Sequence, residues 1–276
     1  MARTSIKYSA ESAFLRYYLT PTVVAALVWA VTGCAARMPV LPEPISTDRP
    51  DFSEGVSTLA KGHTQVETGL TFSKQTDTSS WAIGEVLVRQ GLGKRLEGRV
   101  AINSFVAERD GTEHEDGFED IVLSTKLSLR DAGEGPRRWQ PAVSVLGGAA
   151  LPTGSSEFRT EHVLPFAKLL ANWGLTERME FASNVNWSAS EDNGSIRSEW
   201  DFSGSLGVAA TERVDSYIEA FAISTRNSEA WSHLNYIDGG LAVRLTHSAQ
   251  VDARVGLGPF VEHRAFFTGI GFAYRW

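Results

Sequence analysis

The sequence of 276 residues predicts an all-β fold, a closed antiparallel up-and-down transmembrane β-barrel of about twelve strands, preceded by an N-terminal signal segment. Three observations predict it. Apolar and polar residues alternate through a succession of stretches, the links between these stretches alternate between short and long, and the chain ends in an ordered aromatic pattern.

The alternating stretches predict the strands. In "FEDIVLSTKLSLR", Ile121, Leu123 and Leu127 lie on one face of a strand and polar residues lie on the other. "SEWDFSGSLGV" repeats the pattern, and each stretch has about the ten residues that a tilted strand needs to cross a bilayer. The pattern is less regular in "WAIGEVLVRQ", where apolar Leu87 shares its face with Arg89.

The links support a membrane barrel. Short turns occur in "GLGKRLEGRV", "GLTERMEFAS", "AATERVDSYI" and "RLTHSAQVDA". Longer polar links are expected at "SKQTDTSS", "AERDGTEHEDG", "PTGSSEFRTEH", "SASEDNGSIR" and "STRNSEAWSHLN", while "RDAGEGPRRWQ" is a long link where a short one is due. Outer-membrane barrels have short periplasmic turns and longer outer loops, so the alternation favours that class.

The chain end "GIGFAYRW" predicts the closing strand. Phe272, Tyr274 and Trp276 share one face, and small or charged residues occupy the other. Lipid offers no hydrogen bonds, so the last strand of such a sheet must pair with the first. The ending resembles the C-terminal signal by which the barrel-assembly machinery recognises outer-membrane proteins, with Trp in place of the usual Phe.

The N-terminus predicts export. Residues 1–33 contain basic residues before the apolar run "VVAALVWAV", which is too short for a membrane-spanning helix but suits a signal peptide. The following "VTGCAA" resembles a lipobox, which makes Cys34 a candidate for lipidation; an ordinary cleavage site nearby is the alternative. The expected division is a signal segment at 1–33, a periplasmic N-terminal segment at 34–62 and an outer-membrane barrel at 63–276.

Charged residues on the polar faces of the strands are expected to face the barrel interior. They line a narrow polar channel, or they pair with one another and fill the barrel. The lumen-facing candidates are Glu67, Arg99, Asp120, Lys126, Lys168, Glu180, Glu199, Asp201, Glu219, Arg244, Asp252 and Arg254.

The stretch "ISTDRPDFSEG" before the first strand is a candidate plug. Asp48 and Asp51 flank Arg49 in a segment too short to be a domain. We expect the segment to tuck into the barrel mouth, where Arg49 would meet acidic lumen residues. A flexible linker is the alternative.

Motifs for catalysis, metal binding and cofactor binding are absent from the sequence, so we expect no enzyme, no metal site and no cofactor. A lipid hydrolase that uses His233 or His247 beside a serine is the enzymatic alternative. The formal net charge of −7 argues against nucleic acid as a partner.

Several stretches together resemble one bacterial outer-membrane family, the MetA-pathway phenol-degradation proteins. They are "STDRPDFSEG", "KGHTQVETG", "LPTGS", "IDGGLAVRLTHSAQVDARVG" and the closing "GIGFAYRW", so the resemblance runs from about Ser46 to the end. It implies a barrel with a transport role. We therefore expect a passive channel or transporter for a small aromatic or hydrophobic compound, with outer-membrane lipids as surroundings. A structural or ligand-binding barrel lipoprotein is the alternative.

Overall fold

The computed structural model describes residues 44–133, 139–192, 194–226, 231–258 and 265–276. Within these ranges the chain forms fourteen strands. They are β1 (Thr64–Gln75), β2 (Thr78–Gly91), β3 (Leu96–Ile102), β4 (Phe105–Asp110), β5 (Glu113–Phe118), β6 (Ile121–Arg130), β7 (Ala142–Leu151), β8 (Leu164–Gly174), β9 (Met179–Asp192), β10 (Ser195–Ala209), β11 (Val214–Arg226), β12 (Trp231–Thr246), β13 (Ala249–Gly258) and β14 (Ala265–Arg275).

The strands close into a twelve-stranded antiparallel barrel. Consecutive strands pair from β6 through to β14, and β1 pairs with both β14 and β2. The other two strands, β4 and β5, are short and prolong β3 and β6, since β2 pairs first with β4 and then with β3 along its length. The predicted fold class and the predicted number of strands are confirmed.

The seam between the first and last strands is fully hydrogen-bonded. The backbone of Thr64 exchanges two hydrogen bonds with Trp276, at 3.1 and 3.0 Å, and the register continues from Gln65 opposite Arg275 to Gln75 opposite Ala265. The rings of Tyr274 and Trp276 stack at 5.9 Å between centroids. The ordered chain end therefore removes the open edge that lipid does not tolerate.

The barrel is apolar outside and polar inside. Large apolar side chains such as Ile218, Leu241 and Ile270 are more than half exposed on the outer face, whereas the inward Glu67 and Arg89 are almost completely buried. This is the inverse of a soluble protein and is the arrangement that a bilayer requires.

The irregular pattern in β2 has a local cause. Gly84 and Glu85 both have positive φ, and the pairing with β1 shifts between Glu67 and Gly69. The bulge places one more residue in β2 than regular pairing needs, so Ile83 faces outward while Arg89 faces inward although both are odd-numbered.

Three of the expected long links are wrong. "SKQTDTSS", "AERDGTEHEDG" and "SASEDNGSIR" extend paired strands, and only two residues separate β1 from β2, β4 from β5 and β9 from β10. The backbone groups of these polar residues still form cross-strand hydrogen bonds. The polarity of their side chains therefore did not indicate irregular structure. Residues 152–163, between β7 and β8, do form a long loop.

The N-terminal predictions lie outside the described residues. The signal segment at 1–33 and Cys34 belong to the range 1–43, and residues 42–276 form one compact unit by their contacts. Among the residues that the structure describes, none forms a helix of the length and apolarity that a bilayer-crossing helix requires.

Candidate functional site in the barrel lumen

Residues 45–59, called the inner segment below, run inside the barrel. They enter at the end that carries the short turns at 92–95, 175–178, 210–213 and 247–248, where the Ile45 N–H donates to His247 O at 3.0 Å. The segment reaches Glu219 on β11 at Phe52 and returns to β3, where the Leu59 N–H donates to Glu97 at 2.8 Å. It is therefore a hairpin-like insertion that is bonded to the wall on both of its arms.

Asp48 of the inner segment meets three basic side chains of the wall. Its carboxylate lies 3.0 Å from Lys126 Nζ, 2.9 Å from Arg99 Nη2 and 3.5 Å from Arg89 Nη1. Burial by itself would raise the pKa of Asp48, but Arg89, Lys126 and Arg99 hold that pKa well below its usual range. Asp48 is therefore a fully ionised anchor.

Glu54 forms a second anchor of the same kind. It accepts from Arg99 Nη1 at 2.7 Å and from Lys168 Nζ at 2.6 Å. Burial opposes ionisation here too, yet Lys168 and Arg99 lower the pKa of Glu54 to about 2. The sequence analysis did not single out Glu54, because its partners lie 45 and 114 positions away.

Two wall acids complete this group of charges. Arg89 donates to Glu97 at 3.0 and 3.1 Å and to Glu67 at 2.9 Å. All three side chains are at least 99% buried. The sequence analysis also missed Arg89 and Glu97. The bulge in β2 hides the inward position of Arg89. The polar residues that pair with Arg89 on the adjacent strands could have indicated that position.

Arg49 turns toward the seam between β1 and β14, next to the group around Asp48. It donates to Glu85 at 2.7 Å and to Ile270 O at 3.3 Å, and its Nε lies 3.6 Å from Asp252. Its guanidinium lies over Gly69 and Gly271, which pair across the β1–β14 seam and leave space that a Cβ would fill.

The tip of the inner segment meets an acidic part of the wall. Glu219 accepts from Phe52 N at 2.6 Å, from Ser53 N at 2.9 Å and from the Ser53 hydroxyl. Burial and the nearby Glu219 raise the pKa of Asp51 well above its usual range. Asp238, opposite Glu219 on β12, accepts from the Tyr217 hydroxyl at 2.9 Å.

Aromatic rings line the lumen beside the tip. Phe52 stacks on Phe221 with centroids 4.2 Å apart and ring planes 5° from parallel. Tyr236 stacks on Phe221 at 4.9 Å, and Phe267 lies 6.2 Å from Tyr236 with the Arg254 guanidinium over its ring. Phe52 therefore extends a row of wall aromatics with a ring from the inner segment.

A cavity of about 560 Å³ lies beside the inner segment. Its wall includes Asn172, Glu180, Tyr217 and Arg244, on strands β8, β9, β11 and β12. The segment thus fills one side of the barrel cross-section and leaves space at the other.

The remaining candidates have separate partners. Glu180 accepts from Asn172 at 3.0 Å and Glu199 accepts from Thr225 at 2.8 Å. Arg244 pairs with Asp215, Arg254 donates to Pro50 O at 3.0 Å, and Asp201 shares the inward side of β10 with Glu199 and the buried Ser203.

Asp120 does not take part in the ion pairs of the inner segment. It lies between β5 and β6 and accepts from Thr153 N and Gly154 N at 2.8 Å each. It also accepts from Thr160 N at 3.0 Å and from the Thr160 hydroxyl at 2.6 Å. Asp120 therefore holds the loop at 152–163, which contains the "LPTG" stretch.

The hydrolase alternative receives one supporting contact. His233 Nδ1 lies 2.9 Å from Ser224 Oγ, on neighbouring positions of β11 and β12 that share the outward side with Ile237. His247 contributes its backbone carbonyl to Ile45 and Arg275. Among the described residues, Glu161, His162 and Glu191 bring possible metal-ligating atoms within 4.8 Å of one another, where the loop at 152–163 meets the end of β9.

Comparison with solved structures identifies the fold. The NanC porin has a TM-score of 0.51 at 8% identity, over 76% of this chain and 98% of that one. The KdgM porin in complex with disordered oligogalacturonate reaches 0.48 at 10% identity, over 76% of this chain and 98% of that one. The translocator domain of the autotransporter NalP from Neisseria meningitidis reaches 0.47 at 10% identity, over 78% and 88%.

Comparison of sequences identifies the family. No curated protein matches the chain in sequence. The profile of the family described as "Putative MetA-pathway of phenol degradation" matches residues 47–276, which includes the inner segment from Thr47 onward and the whole barrel. The chain therefore belongs to the MetA-pathway phenol-degradation family and has a porin-like transmembrane β-barrel.

Proposed function

We propose that the protein is a passive outer-membrane channel for a small solute and that the inner segment is its plug. The observation that supports this most strongly is the inner segment itself, which lies within the lumen and leaves a cavity of about 560 Å³ beside it. Hydrogen bonds and ion pairs hold most of the segment, beside the stacked Phe52 and the buried Ile45 and Leu59 at its two ends. Solvation of the lumen can replace the polar contacts.

The proposed solute is small and aromatic or hydrophobic. Phe221, Tyr236 and Phe267 face the lumen in one row, and Phe52 occupies the end of that row. Aromatic rings stack on one another with a gain of about 0.5–1.5 kcal/mol beyond their buried area. A planar aromatic solute can therefore use the same surface that Phe52 covers.

The test is conductance in planar bilayers. We expect discrete current steps from the intact protein and larger steps after deletion of residues 45–55. The aromatic row is tested by uptake of a small phenol in cells. Phe221→Leu should reduce uptake, and Phe202→Leu, on the outer face of β10, serves as the control. Absence of conductance in both the intact and the shortened protein would favour the alternative, a ligand-binding or structural barrel.

A second candidate function follows from the contact between His233 and Ser224. A serine hydroxyl within hydrogen-bond distance of an imidazole is one requirement of acyl-ester hydrolysis, although no orienting carboxylate bonds His233 among the described residues. Purified protein should then release fatty acid from phospholipid, and Ser224→Ala should abolish the release. A rate equal to that of buffer for the unmodified protein excludes this candidate.

A further inference from the structure

The wall of the barrel carries an excess of positive charge where Asp48 and Glu54 dock. Four basic side chains meet there, and among the described residues two wall acids form ion pairs with them, with Asp201 near Lys168, so two of the cations find their ion-pair partners in the inner segment. The basic residues are Arg89, Arg99, Lys126 and Lys168, and the wall acids are Glu67 and Glu97.

Arg89, Arg99 and Lys126 are buried, whereas Lys168 is 26% exposed, so the first three need counterions most. Arg89 is 1% exposed and Lys126 is fully buried. A buried cation without a partner is strongly destabilising, because it has lost its hydration without gaining an ion pair. When the inner segment leaves, water or another anion must therefore replace the carboxylates of Asp48 and Glu54.

The geometry defines the shape of such an anion. A single guanidinium, that of Arg99, bridges the two carboxylates, with Nη2 on Asp48 at 2.9 Å and Nη1 on Glu54 at 2.7 Å. Lys126 contacts the same Oδ2 atom of Asp48 as Arg99 does, and Lys168 contacts Oε1 of Glu54, the oxygen that Arg99 leaves free. The arrangement is a row of cations that holds two carboxylates close together.

We infer that this row of cations is a binding site for a small organic dicarboxylate, which the chain's own Asp48 and Glu54 occupy when the inner segment is docked. The site defines a second ligand class, separate from the aromatic solute proposed above, and rests on the channel function only for the route by which the anion arrives.

The rest of the lumen confines the site to one side. Asp252, Glu219 and Asp238 lie on β13, β11 and β12, away from the strands that carry the four basic residues, and Glu85 lies further along β2 from Arg89; Arg49 and Arg254 are the nearby cations. Their acidic charge means that the ion selectivity of the open pore does not report on this site. Binding is therefore the property to measure.

The experiment uses the full chain in detergent, with succinate as the probe and neutral succinamide as its matched control at equal ionic strength. Asp48→Asn combined with Glu54→Gln removes both internal carboxylates. We expect succinate to raise the unfolding temperature of this double variant by about 3 °C for each tenfold increase above its dissociation constant. Succinamide should have no effect, and succinate should have none on the unmodified protein.

Two further variants locate the site. Arg99→Gln added to the double variant should abolish the succinate response. Asp51→Asn, which alters the segment acid that faces Glu219, should leave the protein as unresponsive as the unmodified chain. If the double variant does not fold unaided, succinate in the refolding buffer should restore the heat-modifiable barrel and succinamide should not.

The outcomes separate this inference from the channel function. Lack of any succinate response or rescue in the double variant, or an equal response to succinamide, overturns the dicarboxylate site. Conductance of the same preparations in bilayers is measured independently. Conductance without a succinate effect leaves the channel and overturns the site, whereas a succinate effect without conductance leaves the site in a ligand-binding barrel.

Discussion

The guanidinium of Arg49 lies over Gly69, in the space that a Cβ atom on that glycine would occupy. Gly69 pairs with Gly84 on one side and with Gly271 on the other, so three adjacent strands present no side chain there. This flat patch places Arg49 between Glu85 and Asp252. Arg49 can therefore approach the barrel seam because the three glycines have no side chains there.

Gly69→Ala should release the inner segment without unfolding the barrel. The new methyl group overlaps only the flexible end of Arg49, so the side chain moves and its ion pairs weaken. We expect a shift of about 1 kcal/mol or more toward the undocked segment, which is about fivefold in the open-to-closed ratio. Bilayer conductance measures it. Gly147→Ala, whose Cβ would meet only Phe166 O at 3.8 Å, should leave conductance unchanged.

Asp51 should make docking of the inner segment weaken as pH rises. Its pKa is raised in the docked state by burial and by Glu219, so docking favours the protonated form. The contribution of Asp51 to docking is complete below its ordinary pKa of 3.8, and this contribution is lost as the pH rises through the raised pKa of the docked state. Open-channel current should therefore increase with pH.

Asp51→Asn tests that dependence, since the amide imitates the protonated acid. The variant should stay closed at higher pH than the unmodified protein. Asp48→Asn is the contrasting variant, because its lowered pKa keeps Asp48 ionised and its docking contribution present above pH 3.8. A pH–current curve that Asp51→Asn does not alter would show that other groups, such as Glu219 and Asp238, control the response.

Asp120→Ala should loosen the loop at 152–163. The change removes the acceptor of four hydrogen bonds from Thr153, Gly154 and Thr160. A hydrogen bond to a charged group contributes about 1.5–3 kcal/mol, so the loop should open far more often. Limited proteolysis should cut this loop at least about tenfold faster, with Glu157→Ala in the same loop as the control. Equal cleavage rates would contradict the assigned role of Asp120.

Trp276→Asp should slow barrel assembly. Trp276 pairs with Thr64 through the backbone and stacks on Tyr274, at the point where the barrel closes. A charge on the lipid face costs on the order of 1 kcal/mol or more, depending on depth. Heat-modifiable migration in gels measures assembly, and Trp139→Asp, in the link between β6 and β7, is the control. Normal assembly of the Trp276 variant would argue against a closing role for this side chain.

Cys34 should be lipidated in cells. Labelled palmitate should be incorporated into the protein, and Cys34→Ser should lose the label. A mature protein that begins after residue 34 would contradict this prediction and would support an ordinary signal-peptide cleavage.

The barrel was predictable because its signals are local. Alternation along a strand shows which side chains share a face, and the aromatic pattern of Phe272, Tyr274 and Trp276 marks the closing strand. The same reasoning failed at "SKQTDTSS", because polar residues occur both in loops and in the protruding ends of paired strands.

The pairing of the lumen charges could not be predicted from alternation. The local alternation determines whether a side chain points inward. The ion-pair partner of that side chain depends instead on its position around the barrel and along the barrel axis. The bulge at Gly84 and Glu85 shifts the face of half of β2, which brings Arg89 inward. Asp48 reaches Lys126 across 78 positions of sequence because the inner segment folds back into the lumen.

The sequence by itself determined a twelve-stranded membrane barrel with a polar interior and a hydrogen-bonded seam, since strand periodicity and the need to satisfy the backbone in lipid permit little else. Only the tertiary structure decided that Asp48 and Glu54 share Arg99, while Arg49 turns toward the seam between β1 and β14 and Asp51 lies near Glu219 on β11. Those contacts depend on the packing of the inner segment against strands far from it in sequence, and no local pattern encodes such distances.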